Sequence, residues 1–407
     1  MEVYLIIAAQ LAILVIWIRA GLHTRALKSL PGAEQLALSG RGTWPRLSIL
    51  IPALNEGKTI GPALRSLLAV DYPDLEVVCV NDRSTDDTGA VLAAVAAGDP
   101  RVKAINVTEL PHGWLGKVHA LDRALEFATG DFILCTDADI HFSRDALKRA
   151  VQMMEHRGLD HLALTPDIKP AGLVFDVALV QAMWTLFFDI DPAKMGTDNC
   201  RAPMGVGAFN LVRGEFMRNI QPFKRLRMEV IDDIGLAIMC HQAGGRGALM
   251  SSGPSVSLEY YDSFMSLLRG MEKNAFAILH YSVLRALGGA SLASLLPVFA
   301  FGLPICSEAW TRVTACALFV FAILWQYVSM RNLGVKLRHV ALMPLGLVLA
   351  ALIGFNSMLQ TMRRGGVVWR GTFYPLAELR RMQVTRFPVP PRISSRQGKT
   401  REPYHEG

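Results

Sequence analysis

The sequence predicts an α/β domain on a mostly parallel sheet, held between N-terminal and C-terminal transmembrane helices. Three observations lead there. Short apolar runs alternate with amphipathic stretches through the middle of the chain. Acidic residues collect just after those runs. Long apolar blocks sit at the two ends. The 407 residues are 51% hydrophobic and only 19% charged. A soluble protein carries about a quarter charged residues, so part of this chain is built for lipid.

The elements follow in order. VYLIIAAQLAILVIWI (3–18) is, with its flanks, long enough to cross a bilayer. Glu2 precedes it, and Arg19, His23, Arg25 and Lys28 follow it. That is the charge order of an uncleaved anchor, residues 1–20, with the following chain in the cytoplasm, and not that of a signal peptide. LSILIP (47–52), LEVVCVND (75–82), VKAINV (102–107) and DFILCTD (131–137) read as strands. EGKTIGPALRSLLAV, DDTGAVLAAVAA and GKVHALDRALEFAT read as the helices between them. Strand and helix alternating at this spacing give parallel strands with right-handed crossovers. Parallel strands are buried on both faces, which accounts for continuously apolar runs such as VVCV.

Three further apolar blocks, 290–306, 313–330 and 340–358, approach bilayer length, and charges cluster between them. One stretch of the C-terminal third holds all three, too much apolar length for a soluble core. Four crossings from an outside N-terminus place the C-terminus outside. The basic tail, with Arg363, Arg364, Arg370, Arg380 and Arg381, belongs in the cytoplasm. A re-entrant or interfacial block resolves the conflict, and 290–306 is the candidate because Gly302 and Pro304 interrupt it. The expected organisation is an anchor at 1–20, an α/β domain at 45–260, an amphipathic interfacial helix at 261–288, membrane helices at 289–360 and a basic tail at 361–407. The expected location is a bacterial-type inner membrane with the α/β domain cytoplasmic.

The net charge of +7 suits anionic lipid. No basic run with interleaved aromatics points to nucleic acid. The six cysteines show no metal spacing and read as buried thiols of a reducing compartment.

Ligands of such sheets bind at the carboxyl ends of the strands. The residues there are Asn55 and Glu56, then Asn81 and Asp82, then Asp137 and Asp139. So many acids at one edge repel one another unless a cation or a donor-rich ligand sits among them. Asp137 and Asp139, two apart on an extended segment, point the same way. Such a pair suits a hard divalent cation that also takes phosphate oxygens. His141 is either a nitrogen ligand or a solvated side chain. Asp232 and Asp233 open an apolar helical stretch, where acids also serve as ordinary N-terminal caps. In PHGWLGKVHA (111–120), Gly116 and Lys117 at a helix start suit a phosphate; an ordinary glycine loop is the equal alternative.

The ordered set PALNE, NDRSTDDT, GWLGKVHALDRA, TDADI, GVGAFNLVR and IDDIGLA resembles glycosyltransferase family 2, over residues 45–260. With its terminal membrane helices the chain is similar to the membrane branch, which includes ceramide glucosyltransferase and bacterial hopanoid- or carotenoid-associated enzymes. The tail GGVVWRGTFYP resembles the same bacterial group. The resemblance implies a GT-A fold and inverting transfer of a sugar, of glucose or N-acetylglucosamine type, from a nucleotide-sugar. It implies that Ala53, Glu56 and Asp82 hold the nucleoside, expected to be uridine, and that Lys117 lies near base, ribose or diphosphate. Asp137 and Asp139 would hold Mg²⁺ or Mn²⁺, with Asp137 also on the donor. Asp233 would be the general base, beside Asp232.

Two departures bear on the acceptor. Polysaccharide synthases of this family carry Gln/Arg-x-x-Arg-Trp before their membrane helices. The nearest match here, RGMEKNAF, has Glu272 and Lys273 in place of Arg-Trp, which favours a single transfer over a processive polysaccharide synthase. ALDRA (120–124) replaces the family's frequent Ala-Leu-Asn-x-Gly. VALVQAMWTLFFDI (177–190) is either an interfacial helix or core, and FMSLLRGMEKNAFAILHYSVLRAL (264–287) is amphipathic. Two interfacial helices imply a lipid acceptor. The alternative of another class, a non-catalytic nucleotide- or lipid-binding membrane protein, has no need of so complete a set of acids.

Overall fold

The computed structural model describes residues 2–32, 43–289, 291 and 309–389. These fall into two compact units. One is Lys28–Lys169 with Lys194–Glu259 and Arg381–Gly407; the other is Met1–Leu27 with Pro170–Ala193 and Tyr260–Arg380.

The first unit is built on a seven-stranded sheet. In chain order its strands are β1 (Leu47–Ala53), β2 (Leu75–Asp82), β3 (Val102–Val107) and β4 (Phe132–Cys135). The short β5 (His141–Phe142) lies outside it, β6 (His161–Thr165) within it, and the short β7 (Asp167–Ile168) outside it. Then come β8 (Asn210–Arg213) and β9 (Gly247–Ser251). The spatial order is β3-β2-β1-β4-β8-β6-β9. Every pairing is parallel except those of β8, which runs antiparallel between β4 and β6. β5 and β7 flank β10 (Val256–Leu258) in a separate three-stranded sheet.

Burial explains the runs. β1 and β4 are buried along their whole length, as central strands are. β3 lies at the edge, buries Val102, and leaves Lys103 and Ala104 in solvent. The helix Ile60–Leu68 buries Ile60, Ala63, Leu64 and Leu67, a single face at helical spacing. The helix Gly116–Leu125 does the same with Val118, Leu121 and Ala124.

Two features of the topology place the site. β1, β2 and β4 are parallel, with Leu47 level with both Leu75 and Phe132. Their carboxyl ends therefore open at one edge. β8 returns antiparallel beside β4, with Asn210 opposite Cys135. The start of β8 and the loop before it thus meet the end of β4.

The second unit is helical. Glu2–Ala26 is one helix, and its Trp17 rings against Trp184 at 5.6 Å. Trp17, Ala20, Trp184, Met330, Met343 and Leu347 form its core. Gly346 lies so close to the helix Leu173–Leu186 that a Cβ would stand 2.9 Å from the Val177 carbonyl oxygen. Among the described residues two segments, Arg312–Leu333 and Met343–Arg364, are by length and composition long and apolar enough to cross a membrane. The anchor expected at 1–20 is helical but is not one of these two. The block 290–306 lies outside the described residues, apart from a helical Ser291.

Two expectations change. The stretch 177–190 is not core of the α/β domain. It lies in the helical unit, so residues 45–260 are two pieces of one unit interrupted by part of the other. The amphipathic stretch 261–288 is not one helix. It breaks into Phe264–Gly270, Ala275–Ile278 and residues 283–289. His280 and Tyr281 adopt left-handed φ of 58° and 52°, which no continuous helix permits. Its apolar residues are also divided: Leu267 and Phe276 are buried, and the Phe276 N–H donates to Ser357 Oγ at 2.9 Å, while Met265, Leu284 and Leu287 are exposed. The basic tail begins with a hairpin, Gly366–Trp369 with Thr372–Pro375, and the helix Leu376–Met382.

Candidate active site

The loops after β1 and β2 are tied to each other. Asn55, at a left-handed φ of 56° that asparagine tolerates, accepts from the Thr85 N–H through Oδ1 at 2.8 Å. Its own N–H donates to Ser84 Oγ at 3.0 Å. The Glu56 N–H donates to Thr88 Oγ1 at 2.8 Å, and the Gly57 N–H to Asp86 at 3.1 Å. PALNE and NDRSTDDT therefore form one interlocked rim. Ala53 is buried at the end of β1. Asp82, buried at the end of β2, accepts from the Arg83 guanidinium at 2.8 and 3.0 Å.

Gly116 is where the helix Gly116–Leu125 starts against this rim. A Cβ there would stand 2.4 Å from Asp82 Oδ2 and 2.7 Å from Arg83 Nη2, so any larger residue would have to push these side-chain ends aside. The next residue, Lys117, turns toward carboxylates. Its ammonium lies 2.9 Å from Asp137 Oδ1 and 3.4 Å from Asp232 Oδ1. Burial opposes its charge, but Asp137, Asp232 and Asp233 together hold its pKa above the ordinary lysine value.

Asp232 and Asp233 open the helix Asp232–Gln242, and the Asp233 carboxylate accepts from the Ile234 N–H at 2.9 Å. Lys117, Asp137, Asp232 and Asp233 line one pocket with Asn210 and Phe223. Gly207 completes it. A Cβ on Gly207 would lie 2.8 Å from Asp137 Oδ2 and 3.6 Å from Asp233 Oδ2, so its lack of a side chain keeps open the space between the two acids. Gly205 is tighter: a Cβ would fall 1.9 Å from the Asp233 carbonyl oxygen.

Asp139 sits deeper. Burial pushes its pKa up, and the charges of Asp137 and Glu56 push it further, to about 6. A carboxylate destabilised by two neighbouring carboxylates is one that gains from a cation. Among the described residues no three His, Cys, Asp or Glu side chains are grouped to hold a metal ion by themselves. Asp137 and Asp139 thus fit a Mg²⁺- or Mn²⁺-type ion that takes its remaining ligands from phosphate and water. They do not fit a closed site such as structural zinc. His141 is exposed on β5 and pairs through its backbone with Ser257 of β10.

Of the residues expected at the site, the pocket joins Lys117, Asp137, Asp232 and Asp233, and the electrostatics of Asp139 bring in Glu56. Ala53 and Asp82 lie at the neighbouring strand ends. Sequence reasoning missed Gly205, Gly207, Asn210 and Phe223. The phrase GVGAFNLVR holds three of them, and its paired glycines before a strand were the available signal.

Residues 48–220 match the model of Glycosyl transferase family 2. That span is a glycosyl transferase family 2 domain. A beta-monoglucosyldiacylglycerol synthase of Synechocystis sp. is 32% identical over 132 residues, 31% of this chain and 27% of that protein. A 4,4'-diaponeurosporenoate glycosyltransferase of Staphylococcus aureus is 35% identical over 118 residues, 28% of this chain and 30% of that one. The chain thus matches under a third of the length of these curated relatives. A mannosyltransferase from Pyrobaculum calidifontis, solved in complex with GDP-Man and Mn2+, superposes with a TM-score of 0.50 at 19% identity. That match covers 86% of this chain and 99% of the other. The likeness is one of fold, and the α/β unit with its mostly parallel sheet is GT-A-like.

Proposed function

We propose that the protein is a membrane-bound inverting glycosyltransferase that moves one sugar from a nucleotide-sugar, a UDP-sugar in particular, to a lipid hydroxyl. The observation that carries this reading is the pocket in which Asp233 faces Asp137 across the side-chain-free Gly207. Asp233 takes the proton of the acceptor hydroxyl as its oxygen attacks the anomeric carbon. Asp137 and Asp139 lie on the donor side and would hold a divalent cation, which supplies neutralisation of the departing diphosphate. Lys117 balances the acids before the donor binds and can turn to the diphosphate afterwards. Glu56, Asp82 and Ala53, on the interlocked rim, hold the nucleoside. One base and one displacement invert the anomeric centre, whereas retaining enzymes with a covalent intermediate need a second displacement.

The membrane part of the proposal rests on the helical unit. Val313, Val320 and Leu324 on one apolar helix, and Leu345, Val348 and Leu352 on the next, are exposed. Such faces suit lipid. The curated relatives named above, a glucosyldiacylglycerol synthase and a diaponeurosporenoate glycosyltransferase, act on lipid-like acceptors by their names, which supports a lipid acceptor here. In this reading the catalytic domain lies in the cytoplasm.

The test is release of UDP from UDP-glucose and UDP-N-acetylglucosamine by the purified protein in lipid, with Mn²⁺ or Mg²⁺. The expected result is turnover that Asp233→Asn abolishes. Wild-type turnover in Asp233→Asn would remove the base from the proposal.

A further inference from the structure

Asp233 is fixed from behind by a buried chain of side chains. His161, at the start of β6, is 1% exposed, and Asn210, at the start of β8, is 2% exposed. His161 Nε2 lies 2.7 Å from Asn210 Oδ1. Asn210 Nδ2 donates to the Asp233 carbonyl oxygen at 3.2 Å. The orientation of the amide follows from chemistry. Turned over, it would set its oxygen against the Asp233 carbonyl oxygen, two acceptors with no proton between them. With Oδ1 toward the imidazole, Nε2 must carry the hydrogen. Burial lowers the His161 pKa and keeps the ring neutral, so it holds one N–H, and the amide places it on Nε2. Each member therefore fixes the next.

The far end of the chain is equally constrained. Gly205 packs on the same carbonyl, with no room for a Cβ, and the Ile234 N–H holds Asp233 Oδ1. We infer that Asn210, held by His161, is a positioning residue that sets the first turn of the helix Asp232–Gln242 and thereby aims the Asp233 carboxylate at the acceptor hydroxyl. The inference rests on the proposed role of Asp233 as general base. Asn210 also lines the pocket itself, so a shift of its amide moves the wall and the base together.

The experiment compares Asn210→Ala, His161→Leu, His161→Gln and the Asn210→Ala/His161→Leu double variant in the full chain reconstituted in lipid. Turnover of UDP-glucose and UDP-N-acetylglucosamine is read with melting temperature. Displacing a base by a fraction of an ångström costs kcat more than donor binding, so Asn210→Ala is expected to lower kcat roughly tenfold or more with donor KM nearly unchanged. His161→Leu should match it. His161→Gln, whose amide can still donate to Oδ1, should recover most of the loss. The double variant should be no worse than either single one, as members of one chain are not additive. Unchanged kcat in Asn210→Ala, additive losses, or kcat and KM falling together in step with melting temperature would overturn the inference. Asp233→Asn separates the two claims: if it keeps turnover, or if the wild type has none, the base assignment fails. If Asp233→Asn is dead while Asn210→Ala is normal, only the positioning role fails.

Discussion

At the scale of single residues, two glycines two positions apart, Gly205 and Gly207, divide structure from chemistry. Gly205→Ala drives a Cβ into backbone, the Asp233 carbonyl at 1.9 Å, and neither partner can move without shifting the helix start. We expect a loss of about 1–3 kcal/mol, read by thermal or denaturant melting. Gly207→Ala meets only the tip of the Asp137 side chain at 2.8 Å, which can swing away. Its melting temperature should stay near wild type while turnover falls at least tenfold, because the methyl fills the gap between the acids. Lys117 makes a third case. Lys117→Met leaves Asp137 and Asp232 without their ammonium. Removing one partner of a buried ion pair costs about 3–5 kcal/mol, and Asp137, which is half exposed, brings the expectation to the lower end of that range, measured by urea unfolding.

At the scale of elements, Glu76 shows how a central strand of the sheet tolerates a charge. It is 2% exposed on β2. It accepts from Ser48 Oγ at 2.6 Å, Lys103 Nζ at 2.6 Å and the Thr129 N–H at 3.0 Å. Burial pushes its pKa up, but these donors, Lys103 first, prevail and bring it down to about 2. A depressed carboxylate pKa stabilises the fold above the unfolded value and loses that contribution as pH falls toward the folded one. Glu76→Gln should therefore be less stable than wild type at pH 7, with the gap narrowing below about pH 4.5 and closing near pH 2, as followed by melting temperature against pH. The sheet elements were legible in the sequence because local pattern decides them. LSILIP and LEVVCVND are buried on both faces wherever they lie in a parallel sheet. The break at His280 and Tyr281 was not legible, since the apolar spacing of 264–287 continues across it and only the left-handed backbone interrupts the helix. The acids at the strand ends could be read, because the topological rule places them. Asn210 could not, because its role depends on β8 running antiparallel beside β4, a pairing that no local pattern encodes. Likewise the reach of Lys117 toward Asp137 and Asp232 is a fact of tertiary distance.

At the scale of the whole molecule, the sequence interleaves two units that the structure separates. Residues 170–193 leave the α/β unit to join the helical one, and 381–389 return to it. The return is anchored at Glu229, which is 1% exposed and accepts from the Val384 and Thr385 N–H groups at 2.8 and 2.9 Å. Glu229 lies three residues before Asp232, so the segment after the last helices is built into the loop that leads to the proposed base. The helical unit carries the lipid side of the account. Its exposed apolar faces predict that the protein stays with membranes through high-salt and carbonate washes and is released by detergent; release by salt alone would mean that these helices do not span. The single most direct test of the central claim is mass spectrometry of lipid extracts after the reconstituted protein is given a UDP-sugar and divalent cation, with NMR of the product. The account predicts a lipid heavier by one hexose or N-acetylhexosamine, with the anomeric configuration opposite to the donor. A ladder of added sugars, a retained configuration, or UDP release with no glycosylated lipid would contradict it.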